Sequence, residues 1–110
     1  MSLAFQRAAR LSDVETRLPL GVALPDGMRV CLIRDGERIY AVADRCPHRE
    51  FALSGGNLVG PCILECPWHG ARFDVRTGRV VQGPATNDVT TYSVRVVGDE
   101  VFVGPARPTA

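Results

Sequence analysis

Two short stretches hold the residues of this chain that could do chemistry: Cys46-Pro47-His48 and Cys66-Pro67-Trp68-His69. Each offers one thiol and one imidazole within three positions. The 110-residue chain has only two histidines, and both stand just downstream of a cysteine. Pro47 and Pro67 follow the two cysteines directly, and a proline fixes its own φ, which stiffens each turn. Gly70 follows the second histidine and permits a tight backbone there.

Two thiolates and two neutral imidazoles can hold one zinc ion tetrahedrally. They can equally hold a [2Fe–2S] cluster, one iron on the cysteines and the other on the histidines. The spacing favours the cluster. Cys-x-His and Cys-x-x-His let each stretch straddle both irons, whereas zinc fingers usually pair Cys with Cys and His with His. Zinc remains the alternative. The other cysteines, Cys31 in Arg-Val-Cys-Leu-Ile and Cys62 before Ile63-Leu64, read as small buried hydrophobes. Glu50 and Glu65 read as solvated charges.

The elements that must position these residues are β-strands. Turn signals recur at Pro25-Asp26-Gly27, Asp35-Gly36, Ser54-Gly55-Gly56, Thr77-Gly78 and Gly98-Asp99, with short β-rich runs between them. That pattern predicts an all-β sandwich or barrel. Strands are expected near Phe5–Ala9, Leu20–Ala23, Arg29–Arg34, Ile39–Asp44, Ile63–Glu65, Ala71–Asp74, Val80–Gln82, Thr91–Val97 and Glu100–Val103. Asp13–Arg17 offers one helical turn at most. Tyr92, Val94 and Val96 alternate with Ser93 and Arg95, so the first three are expected in the core. Both cysteine stretches then follow strand ends, where a rigid scaffold mounts its functional loops.

Length and charge bound the rest. The chain suits one domain, 1–104, with a cluster-binding subdomain over about 45–84 and a loose C-terminal tail at 105–110. The formal charge is +1 and the basic residues are scattered, which argues against nucleic-acid binding. No signal peptide is evident, and no apolar run approaches the length of a membrane-spanning helix. A cytoplasmic location with reduced thiols is the expectation, and four cysteines there favour metal over disulfides.

The Cys-x-His and Cys-x-x-His pairs, with Pro67-Trp68, Gly70, Phe73-Asp74 and Thr77-Gly78, resemble the Rieske family. More narrowly, they are similar to the small soluble ferredoxins that serve bacterial aromatic-ring-hydroxylating oxygenases. The likeness runs from about Phe5 to Val103. It implies a Rieske fold: an antiparallel β-sandwich with a small cluster-binding subdomain made of two loops. It implies one [2Fe–2S] cluster, with Cys46 and Cys66 on one iron and His48 and His69 on the other. It also implies no catalytic residue of the chain's own, a transient ferredoxin reductase and terminal oxygenase as partners, and docking around Pro47, Trp68 and Pro84.

Three departures from the wider family stand out. Respiratory-type members carry an extra cysteine in each stretch, where this chain has Phe51 and Trp68. They also carry a serine and a tyrosine where Ala71 and Phe73 stand here. Fewer hydroxyl donors toward sulfur predict the low end of the Rieske potential range, around −150 mV. Glu50-Phe51-Ala52 replaces the small residue or proline frequent in soluble members, which makes the surface beside His48 unusual.

The resemblance also excludes other roles. An oxygenase needs a second iron held by two histidines and a carboxylate, and both histidines are already committed. No GxGxxG loop is present, so the chain is not the nicotinamide-dependent reductase. The expected role is a one-electron carrier between a NAD(P)H-dependent reductase and a terminal Rieske non-haem iron oxygenase in aromatic compound degradation. The alternatives are a small non-catalytic subunit of a nitrite-reductase-like complex, or a zinc-stabilised interaction module.

Overall fold

A computed structural model describes residues 5–46, 51–67, 70–83 and 87–107. Among the described residues, ten strands form two antiparallel sheets. The larger contains β1 (Gln6–Arg10), β2 (Leu20–Ala23), β3 (Arg29–Asp35), β4 (Arg38–Ala43), β9 (Thr91–Val97) and β10 (Glu100–Arg107), in the spatial order β1-β10-β9-β4-β3-β2. The smaller contains β5 (Asn57–Gly60), β6 (Ile63–Glu65), β7 (Arg72–Asp74) and β8 (Val80–Gln82), in sequential order. It is inserted between β4 and β9. No helix among the described residues is long and apolar enough to cross a membrane.

The larger sheet curls until its two edges meet. Gln6 Nε2 donates to Asp26 Oδ2 at 3.0 Å, and the Asp26 amide donates back to Gln6 Oε1 at 3.0 Å. This reciprocal pair joins β1 to the turn between β2 and β3, giving a partly closed barrel. Its interior is filled by Val14, Val30, Leu32, Ala41, Val101 and Val103.

Strand β3 explains how a second core arises. Val30, Cys31, Leu32 and Ile33 are all completely buried. Successive side chains on a strand point to opposite faces, so Val30 and Leu32 enter the barrel while Cys31 and Ile33 face outward. The outward face packs with Leu64, Phe73 and Val75 of the smaller sheet, Leu53, and both Cys46 and Cys66. An apolar run without polar alternation is what a strand covered on both sides requires. Phe73, fully covered, contributes about 2–3 kcal/mol by burial alone.

The expected strands are all present, their ends within one residue of expectation except the end of β10, and β5 is an addition. Three expectations differ. The single turn of helix falls at Leu11–Asp13 rather than Asp13–Arg17, and a second one forms at Leu53–Gly55. Strand β10 runs on through Arg107, into residues read as loose tail, because Ala106 and Arg107 pair with Tyr92 and Thr91 after a register shift. Val96 is 41% exposed rather than in the core. The reason is that β9 pairs with β4 only at Tyr92 and Thr91, so its far end leaves the layer that would have covered it.

Candidate iron–sulfur site

Cys46 and Cys66 open two loops of the same construction. In the first, the Cys46 amide donates to the Phe51 carbonyl at 2.9 Å; in the second, the Cys66 amide donates to the Ala71 carbonyl at 2.7 Å. Each hook is thus a six-residue ring closed at its base, with the cysteine as first residue. Both cysteines are 1% exposed and sit in the same apolar cluster. The four cysteines form no disulfide.

The first hook leaves β4 and is tied to the larger sheet. Asp44 has a fully covered side chain. Its Oδ1 accepts the Ser54 amide and its Oδ2 accepts the Ser54 hydroxyl, both at 2.7 Å. Arg29 Nη2 lies 4.0 Å from Oδ2. Gly21 of β2 makes room for this brace, since a Cβ there would stand 2.6 Å from both Asp44 Oδ2 and Ser54 Oγ.

The second hook is the hairpin loop between β6 and β7. Gly70 has φ +75°, a conformation that costs a side-chain-bearing residue about 1 kcal/mol or more. Its carbonyl accepts a hydrogen bond from Gln82 Nε2 at 3.1 Å. Across the foot of the hairpin, Arg72 Nε donates to Glu65 Oε2 at 3.0 Å. Glu65 is therefore half-buried and paired, not the solvated charge its sequence setting suggests.

Of the residues singled out from sequence, the structure brings Cys46 and Cys66 into one core. His48, His69, Pro47, Trp68 and Pro84 lie outside the described residues. Among the described residues no group of three or more His, Cys, Asp or Glu is placed so as to hold a metal ion. The donor set fits the cluster: two thiols, shielded from water and undivided by any disulfide, at matching positions of two closed loops.

The other two cysteines behave differently. Cys31 shares the core with Cys46 and Cys66, but burial and then the Asp44 charge push its thiol far above the usual range. Cys31 is a completely buried thiol of β3, outside both hooks. Cys62 occupies the turn between β5 and β6 with φ +60°, where Gly or Asn would be expected. Its Sγ lies 3.4 Å from Asp35 Oδ2, and burial followed by that hydrogen bond raises its pKa as well. Nothing in the sequence around Cys62 announces either feature except Pro61, which often precedes such a turn residue.

A family model for the Rieske [2Fe-2S] domain matches residues 4–93, and the chain belongs to that family. The cofactor it carries is a Rieske-type [2Fe–2S] cluster, and its role is that of an electron carrier rather than a catalyst. The chain is 39% identical over 74 residues to the 3-phenylpropionate/cinnamic acid dioxygenase ferredoxin subunit of Escherichia coli (strain K12), covering 67% of this chain and 70% of that protein. Among solved structures it is similar to the ferredoxin of carbazole 1,9a-dioxygenase from Nocardioides aromaticivorans IC177. That match has 36% identity and a TM-score of 0.86, over 93% of this chain and 98% of the other. It also matches a chain in a complex of reduced oxygenase and oxidized ferredoxin in carbazole 1,9a-dioxygenase, with 29% identity, a TM-score of 0.84, and 94% of both chains covered.

Proposed function

We propose that this chain is the ferredoxin component of an aromatic-ring-hydroxylating oxygenase system, passing single electrons from a NAD(P)H-dependent reductase to a terminal oxygenase in the cytoplasm. The observation that carries the reading is the pair of equivalent cysteine hooks converging on one core. In this reading Cys46 and Cys66 ligate one iron, and His48 and His69 the other. The cluster supplies the one-electron couple. The chain's own residues hold the two sulfurs dry, fix the hooks against the scaffold, and leave the histidine side of the site to face a partner. Pro47, Trp68 and Pro84 border that face and make a small apolar docking patch, suited to a transient encounter. The relatives' names support the oxygenase side of the chain of transfer; the reductase follows from the need for an electron source.

The test is iron and acid-labile sulfide analysis of anaerobically purified protein, followed by EPR of the reduced form. The expected result is two irons and two sulfides per chain and a rhombic signal with average g below that of four-cysteine clusters. A colourless protein holding one zinc would overturn the reading.

A further inference from the structure

Asp44 is the one buried carboxylate among the described residues, and none of its side chain is exposed. Both of its oxygens accept hydrogen bonds from Ser54, as an ionised carboxylate does. The brace does not need that charge. An asparagine could take the Ser54 amide on its carbonyl and give its NH₂ to the Ser54 hydroxyl. Covering a charge costs more free energy than covering an amide, so the negative charge here calls for a role besides fastening.

Its position supplies one. Asp44 stands two residues before Cys46. A Cβ on Gly21 would meet Asp44 Oδ2 at 2.6 Å, and Gly21 pairs across β2 and β3 with Cys31, which shares the apolar core with Cys46 and Cys66. Beyond Ser54 the chain passes to Gly55, where a Cβ would stand 3.9 Å from Pro67 Cγ of the second hook. The carboxylate thus lies at the foot of the first hook, and its partner's neighbour lies against the second. The charge is felt in that core: burial raises the pKa of the Cys31 thiol, and Asp44 raises it further. Arg29 does not cancel it. That cation stands 4.0 Å away on the outside, with 59% of its side chain exposed to water, which screens it. Toward the core the carboxylate faces a medium of lower dielectric, where its field reaches further.

We infer that Asp44 is a potential-setting residue, its covered negative charge lowering the reduction potential of the cluster held between the two hooks. The inference rests on the electron-carrier reading and adds to it a residue that sets the driving force of transfer. Reduction adds one negative charge at the site, and a fixed like charge nearby opposes it. A lower potential makes the reduced carrier a stronger donor to its acceptor. The effect has the same sign as the missing hydroxyls at Ala71 and Phe73.

The test is a dye-mediated redox titration of the purified holoprotein at fixed pH and low ionic strength, with the reduced fraction read by EPR. Asp44→Asn, which keeps the shape and loses the charge, should shift the reduction equilibrium about tenfold toward the reduced form, or about 59 mV upward for a one-electron couple. Arg29→Gln should shift it the other way by about twofold. Ser54→Ala loosens the brace but keeps the charge, and should move the equilibrium by less than about twofold. The g values should stay those of the native protein in all three, which shows an unchanged ligand set. An unmoved potential in Asp44→Asn overturns the inference with the carrier reading intact, and so does an upward shift in Ser54→Ala as large as that in Asp44→Asn. If Asp44→Asn retains no cluster, Arg29→Gln decides: a downward shift supports the inference and no shift overturns it. A native protein that binds no cluster defeats the carrier reading itself.

Discussion

The two hooks have the same closure but different foundations. The first is held from below: a covered carboxylate, Asp44, ties the chain before Cys46 to Ser54 after it, and Gly21 of the barrel is pared away to admit the contact. The second is held at its surface, by Arg72 to Glu65 and by Gln82 to the Gly70 carbonyl. A hydrogen bond to a fully covered carboxylate carries more free energy than an ion pair between partly exposed side chains, because water competes for the latter. The asymmetry follows topology. Cys66 stands in a two-strand hairpin that already fixes its loop, whereas Cys46 starts a long connection that needs a fastening of its own.

If sulfur ligation is shared equally, the hooks should be equivalent in one experiment and unequal in the rest. Cys46→Ser and Cys66→Ser should each lower bound iron by about tenfold or more, measured as iron per chain and visible absorbance. A variant that retains its cluster would break the symmetry and remove that cysteine from the ligand set. The foundations should then separate the hooks. Asp44→Ala leaves the Ser54 amide and hydroxyl without their acceptor inside the fold, at a cost of about 3 kcal/mol in urea unfolding, and Ser54→Ala should cost about half as much.

The sequence made the hooks legible because ligand chemistry is local: two thiols, two imidazoles and fixed spacing need no tertiary information. The strands were legible for a similar reason, as turn residues punctuate short β-rich runs. The foundations were not. Asp44 and Ser54 are ten positions apart, and no periodicity links a residue at a strand end to one in a short 3₁₀ turn. Gly21 reads as an ordinary strand glycine until the brace behind it is seen. Strand β5 was missed because Asn57-Leu58-Val59-Gly60 is short and ends in glycine, and its pairing with β6 supplies what propensity lacks. Val96 misled in the other direction. Its alternation is that of a core strand, but alternation does not report where a neighbouring strand departs.

A smaller effect concerns potential, and it belongs to the second hook. Ala71 is fully buried, and its carbonyl closes the ring on Cys66. A hydroxyl there could donate toward the site, which the native alanine cannot. Ala71→Ser should raise the midpoint potential by about 40 mV, the equivalent of one net hydrogen bond of about 1 kcal/mol for a one-electron couple. Protein-film voltammetry checks it, and an unchanged potential would mean that the position does not face sulfur. On the surface of the same hook, Arg72→Ala and Gln82→Ala should each cost no more than about 1 kcal/mol. Losses as large as those from Asp44→Ala would erase the distinction between the two foundations.

The far end of the second hook's hairpin offers a control that should leave both foundations alone. Asp74 closes β7; its Oδ1 accepts the Arg76 amide at 2.9 Å and Arg76 Nε at 3.0 Å, and its Oδ2 accepts Arg76 Nη2 at 2.8 Å. The side-chain bonds from Arg76 hold the Asp74 carboxyl below the usual carboxylate range. A carboxyl lowered in the folded state stabilises the fold above its unfolded pKa of about 4. That contribution is lost as pH falls through the lower folded value. Arg76 is half-exposed, so the effect at neutral pH is below about 1 kcal/mol. Asp74→Asn should therefore change stability little at pH 7 but flatten the acid limb below about pH 4, read as urea midpoints across pH. Because the residue sits at the opposite end of β7 from the hook, bound iron should stay unchanged; iron lost with this variant would show that the hairpin transmits strain along its length, and the second hook would then depend on its sheet as fully as the first depends on Asp44.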